Sequence, residues 1–113
     1  MLPIKEIAQA QGVDVEEARE LLAFFVEYTN DQDLPMLGAS LQSGDFAVAR
    51  QRAHSIKGAA LNLKLEEIAS YAAQIERKCA ASDLEGTEDL LAALTSGLNE
   101  VDVWLKQSLS DES

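Results

Sequence analysis

A chain of 113 residues is the size of one domain, and that length buries enough apolar surface to hold a core without disulfides or metal. No apolar run approaches the ~18 residues that cross a bilayer, Met1-Leu2-Pro3-Ile4-Lys5 lacks the layout of a signal peptide, and the single Cys79 excludes an internal disulfide. Without a spanning run or that layout the expected location is cytoplasmic, and a formal net charge of -11 sets the chain against nucleic acid and anionic membrane surfaces, both polyanions, so the expected partners are proteins.

Apolar residues recur at helical spacing throughout, and no stretch has the alternation or β-branched enrichment of a strand. A short helix is predicted over Pro3 to Gln11, opened by proline in its first turn, stopped at Gly12, and lying as a lid on the bundle. Asp14 with Glu17 forms a capping pattern, after which Ala18, Leu21, Leu22, Phe25 and Tyr28 make a buried stripe. The polar cluster Asn30 to Asp33 either splits this helix or kinks it. Asp33 as a cap with Pro35 then restarts a helix carrying Leu34, Leu37 and Leu41 to Ser43-Gly44.

Asp45 caps the next helix, whose apolar positions Phe46, Ala49, Ala53, Ile56, Ala60 and Leu63 alternate steps of three and four. Leu65, Ile68, Ala69, Ala72, Ile75 and Cys79 repeat the pattern until Ala81-Ser82-Asp83 interrupts it, which predicts a near-antiparallel hairpin. Thr87, followed by Glu88 and Asp89, caps a last helix with Leu91, Leu94, Leu98, Val101 and Leu105 in its seam and Trp104 beside it. The expected fold is all-α: one domain over 1–113, an up-and-down four-helix bundle with a short N-terminal helix and a kinked or split second helix. Its core bundle spans about 15–107, and a tail over Ser108 to Ser113 is expected to fray.

Charge is unevenly placed. Between Phe46 and Leu65 stand Arg50, Arg52, Lys57 and Lys64 with no acidic residue, a stretch of +4; the other five basic residues meet all twenty acidic ones, leaving -15. At roughly 100° per residue, the only histidine, His54, lies roughly 120° from the centre of this helix's core stripe, sharing a flank with Arg50, Lys57, Gly58 and Leu61. Taken alone, an exposed histidine is an idle polar residue, and each cation beside it a solvated surface charge. Gly58 is harder to dismiss, since mid-helix glycine costs on the order of 1 kcal/mol relative to alanine. It either lets a neighbouring helix pack closely or leaves room for something to approach His54.

The run Ala53-His54-Ser55-Ile56-Lys57-Gly58-Ala59-Ala60 resembles the H-x-x-K-G signature of histidine-containing phosphotransfer domains. Leu37, Leu41 and Gly44-Asp45-Phe46 upstream, with Leu65, Ile68 and Ile75-Glu76 downstream, are similar to that family's residues, so that Val15 to Leu105 fits its helical layout. The resemblance implies that His54 is phosphorylated, that Lys57 stabilises charge, and that Gly58 gives clearance. It implies response-regulator receiver domains or a hybrid histidine kinase as partners, with Mg²⁺ and the acidic pocket on the receiver and no cofactor on this chain. Lys64 and Leu61 depart from a pattern that often has glycine and a small residue there. Arg50, Leu61 and Lys64 are candidate partner contacts; equally, Leu61 is a half-buried helix edge and Lys64 a cation suited to a helix C-terminus.

Imidazole suits such a role, because an unperturbed pKa near 6.5 leaves a neutral fraction whose ring nitrogen can attack phosphorus. The expected carrier takes phosphoryl on Nε2 from one receiver aspartate and returns it to another. No G-x-x-x-x-G-K-[ST] or G-x-G-x-x-G run is present, so autonomous kinase activity is not expected. An enzyme using His54 as general base requires an orienting carboxylate and a pocket, neither visible in the sequence. A lone histidine and a distant lone cysteine lack metal-ligand spacing. The rivals are a helical adaptor that transfers nothing and the phosphoacceptor module of a chemotaxis-type histidine kinase. Dimerising kinase helices are disfavoured, since Ser55 and Ala59 break the H-E-x-x-P context, and with no second long apolar face a monomer is expected.

Overall fold

Four helices stop in the same way, with a residue in the left-handed region and the next amide reaching back to a carbonyl five residues earlier. The amides of Val13, Asp45, Leu65 and Asp83 donate to the carbonyls of Ala8, Ser40, Ala60 and Lys78. The left-handed residue is glycine at Gly12 and Gly44 but carries a side chain at Lys64 and Ser82, with φ of 60° and 54°. In the computed structural model, which describes the backbone of 2–112 and side chains to 107, these stops delimit α1 (Ile4–Gln11), α2 (Val15–Tyr28), α3 (Leu34–Ser43), α4 (Phe46–Asn62), α5 (Glu66–Ala80) and α6 (Thr87–Glu112). Asp14 and Asp45 cap α2 and α4, accepting from the amides of Glu17 and Val48 at 2.8 and 3.2 Å.

The polar cluster kinks the second helix and does not split it. Thr29–Asp33 is a π-helical turn joining α2 to α3, with the Leu34 amide donating to the Thr29 carbonyl. Two causes act together. Pro35 has no amide hydrogen to continue the α-helical ladder, and the core positions Phe25, Thr29, Asp33, Leu37 and Leu41 recur every four residues, a drift of about 40° per step that a wider turn offsets. Asp33 is therefore not a cap. Its backbone is helical (φ -68°, ψ -43°) and its buried carboxylate instead accepts from Arg52 Nη1 on α4 at 3.3 Å.

The bent α2–α3 unit, α4, α5 and α6 form the four-helix bundle, and among the described residues there is no strand. The α4–α5 hairpin is its most intimate pair. Ala49, Ala53 and Ala60 of α4 and Ala69 and Ala72 of α5 are buried, and side chains this small let the two backbones close together around Ile56, Ile68 and Ile75. At α6, Leu94, Leu98, Val101 and Leu105 complete the core. The short α1 packs on α2 as the expected lid, burying Ile7 completely, and the Gln11 side chain donates to the Asn62 carbonyl at the end of α4.

Two further expectations need correction. Leu21 and Tyr28 are exposed, because the apolar run of α2 holds more large side chains than one face buries: Leu22, Phe25 and Val26 take the core, which turns Leu21, Phe24 and Tyr28 outward. Thr87 does not cap α6. Gly86 fills the cap position, its carbonyl accepting from the Leu90 amide, while the buried Thr87 donates its hydroxyl to the Leu84 carbonyl at 2.7 Å. The backbone of the tail expected to fray is helical to Glu112, and its side chains from 108 onward, with Ser113, lie outside the described residues.

Candidate functional site

With alanines turned inward, α4 presents a polar outer flank. The His54 side chain is 66% exposed there. Gly58, one turn on, meets nothing: a Cβ built on it has no atom within 4 Å. Close helix packing is thereby excluded as the reason for this glycine. Leu61, at 54% exposure, is not a buried edge residue but an apolar side chain left in solvent.

The residue to which sequence alone assigns no role in the site is Glu76 of α5. Its Oε2 lies 2.7 Å from His54 Nδ1 and its Oε1 2.6 Å from Lys57 Nζ, so one carboxylate joins both α4 side chains. The signal was available in the hairpin. A chain folded back at Lys64 brings the residue ten before the turn opposite those ten to twelve after it, and Glu76 is the acidic residue there. It also supplies the orienting carboxylate that was not visible in the sequence. The Lys57 ammonium, expected beside the ring, is held by the same carboxylate.

This geometry determines the proton on the ring. The Lys57 hydrogen bond, reinforced by His54 and opposed by partial desolvation, holds the Glu76 carboxyl below the usual carboxylate range. An ionised carboxylate only accepts, so Nδ1 must donate, and a neutral ring then has its lone pair on Nε2. Helical side chains lean toward the helix N-terminus, and His54 accordingly leans over the preceding turn, lining a recess with Ala47, Arg50, Gln51 and Glu76. Arg50 is exposed there with no ion-pair partner among the described residues. Lys64 is not part of this cluster, standing ten residues from His54 in the turn beyond the end of α4.

On the other flank of α4, Ser55, Ala59 and Asn62 line an apolar groove with Leu21, Phe24 and Tyr28, the last two rings stacked 6.0 Å apart. A patch of exposed aromatic and aliphatic side chains beside a polar site is characteristic of protein-binding surfaces. Among the described residues no helix is long and apolar enough to cross a membrane.

Residues 14–104 match the family model described as Hpt domain. The chain belongs to the Hpt domain family. The match begins at the cap of α2 and leaves α1 outside. A solved relative, histidine-containing phosphotransfer protein B from Pseudomonas aeruginosa PAO1, superposes with a TM-score of 0.80 at 29% identity, covering 90% of this chain and 88% of its own. No curated protein sequence matches the chain. This Hpt chain is thus of the histidine phosphotransfer class, and such domains partner with receiver domains and histidine kinases in phosphorelays.

Proposed function

We propose that this Hpt protein is an intermediate carrier in a phosphorelay, taking a phosphoryl group from a receiver-domain aspartyl phosphate onto Nε2 of His54 and returning it to an aspartate of another receiver. The observation that carries this reading is the exposed imidazole whose Nδ1–H is engaged by Glu76, which leaves Nε2 nucleophilic and outward. Phosphoryl transfer is chiefly a matter of positioning and charge neutralisation, and the His54 flank supplies both, with open space over Gly58 through which a receiver can approach. The apolar groove along Phe24 and Tyr28 gives that receiver a surface to cover. The same reading makes the protein a cytoplasmic, monomeric carrier without kinase activity of its own, the metal being the receiver's.

The test is incubation with a phosphorylated receiver, followed by assay for acid-labile, alkali-stable phosphate. Wild type is expected to be labelled and His54→Gln to remain unlabelled. Labelling by ATP and a kinase catalytic domain alone would instead make this a chemotaxis-type acceptor module. Binding without transfer from any receiver would make it an adaptor.

A further inference from the structure

We infer that Arg50 is the cation that meets a phosphoryl group carried on His54, and that Lys57 acts one step removed, as a positioning residue that fixes Glu76 against the ring. The inference rests on the carrier reading above and divides the labour of the positive helix differently from the family resemblance, which gave the charge-stabilising role to Lys57.

Four cations stand on or just beyond α4, and the structure accounts for three of them. Arg52 donates to the buried Asp33 at 3.3 Å. Lys57 donates to Glu76 Oε1 at 2.6 Å, and the other oxygen of that carboxylate holds Nδ1, so the ammonium is engaged on the Nδ1 side of the ring. Lys64 stands beyond the end of α4, ten residues after His54, in the left-handed turn that leads to α5. Arg50 remains, one turn before His54, and it lines an open recess together with His54 and Glu76, whereas Lys57 and Gly58 do not. That recess, ≈ 340 Å³, has room for a phosphoryl group and water. Glu76 also faces it, so a dianion arriving there meets one carboxylate and needs a counter-charge. A guanidinium offers two parallel N–H donors to phosphoryl oxygens, a geometry an ammonium cannot reproduce.

The step balances without a proton. The O–P bond of the donor breaks and its electron pair stays on the receiver carboxylate, while the Nε2 lone pair forms the N–P bond. Nδ1 keeps its hydrogen on Glu76, so the ring becomes a phosphorylated cation paired with that carboxylate, its phosphoryl oxygens against Arg50. Return to a second receiver reverses each of these changes.

Potassium phosphoramidate, a small donor that loses ammonia as its N–P bond breaks, tests the assignment without a receiver, with ³¹P spectra following phosphohistidine and ¹⁵N spectra following the ring tautomer. Arg50→Ala is expected to slow labelling about fivefold with the tautomer unchanged, and Arg50→Lys to recover part of the rate. Lys57→Ala is expected to slow labelling and mix the tautomers, and to do neither once Glu76 is alanine, because its effect passes through that residue. A wild-type rate in Arg50→Ala, or a Lys57→Ala effect that persists undiminished in the Glu76→Ala background, overturns the assignment. Should phosphoramidate give the expected pattern while no receiver transfers, the carrier reading fails and the division of roles stands. Should receiver transfer proceed undiminished in Arg50→Ala, the division fails and the carrier reading stands.

Discussion

Gly58 of α4 and Gly97 of α6 both interrupt amphipathic helices at the same intrinsic cost, about 1 kcal/mol relative to alanine, for opposite reasons. At Gly97 a Cβ would stand 3.1 Å from Ile68 Cγ1, so the absent side chain lets α6 settle on α5. At Gly58 a Cβ meets nothing within 4 Å. One glycine is explained by the inside of the protein; nothing inside explains the other. A residue that is costly locally and idle internally marks a candidate functional position, and it stands one turn from His54; on the proposed carrier reading it leaves clearance for the receiver.

The sharpest way to break this comparison is to put a long side chain at each glycine. Gly58→Gln is expected to lower receiver-dependent phosphorylation of His54 by roughly a hundredfold, the scale of loss when reacting groups are held about 1 Å out of place, while raising the urea midpoint, since glutamine is the better helix former. Gly97→Leu is expected to do the reverse, costing about 2 kcal/mol by overpacking against Ile68 and leaving the transfer rate per folded molecule unchanged. Stopped-flow labelling beside urea unfolding separates the two. Loss of stability at Gly58, or loss of transfer at Gly97 beyond its unfolded fraction, would erase the distinction.

The same divide accounts for what the sequence disclosed. Helix number, the hairpin about Lys64 and the buried set from Ala49 to Cys79 are legible because small and apolar residues at steps of three and four bury only one way, and no large polar residue competes for that stripe. Legibility was partial where polar residues sit on the core stripe: the cluster Asn30 to Asp33 left a split and a kink equally open, and Asp33 read as a cap although it is buried, since its Arg52 partner lies nineteen residues away. It failed at Leu21 and Tyr28 because α2 has more large apolar side chains than one face accepts. At the site, His54, Lys57 and Gly58 are marked by spacing on one helix, whereas Glu76 comes from the facing helix and becomes apparent only once the hairpin register is known.

Lys64 allows a smaller test of which side of the divide a residue serves. It occupies the left-handed position that Gly44 fills at the end of α3, and a side chain there costs about 1 kcal/mol that glycine avoids. Lys64→Gly gives some of this back as flexibility of the unfolded chain, so the expected net gain is about 0.5 kcal/mol, raising Tm by about 2 °C in a thermal scan. Transfer at physiological salt is expected to be unchanged, since Lys64 stands beyond the end of α4, ten residues from His54. A slower reaction would move Lys64 to the site side, as a docking charge retained despite its strain.

The finest test concerns Glu76, which serves both sides, bridging two helices and orienting the ring. Its carboxyl is held below the ordinary carboxylate range chiefly by the Lys57 hydrogen bond, so its folded-state pKa lies below its unfolded one. The bridge therefore contributes its full stability above the unfolded value and loses it as pH falls through the folded value, because protonation removes the charge that Lys57 and Nδ1–H address. Other carboxylates titrate over the same range, so the informative quantity is the difference in urea midpoint between wild type and Glu76→Gln. That difference is expected to favour wild type at pH 7 and to shrink steadily through the acid limb below about pH 4.5. A difference that stays constant through that limb would mean the bridge contributes through packing and not through charge, and the ionised acceptor that fixes the His54 tautomer would lose its support.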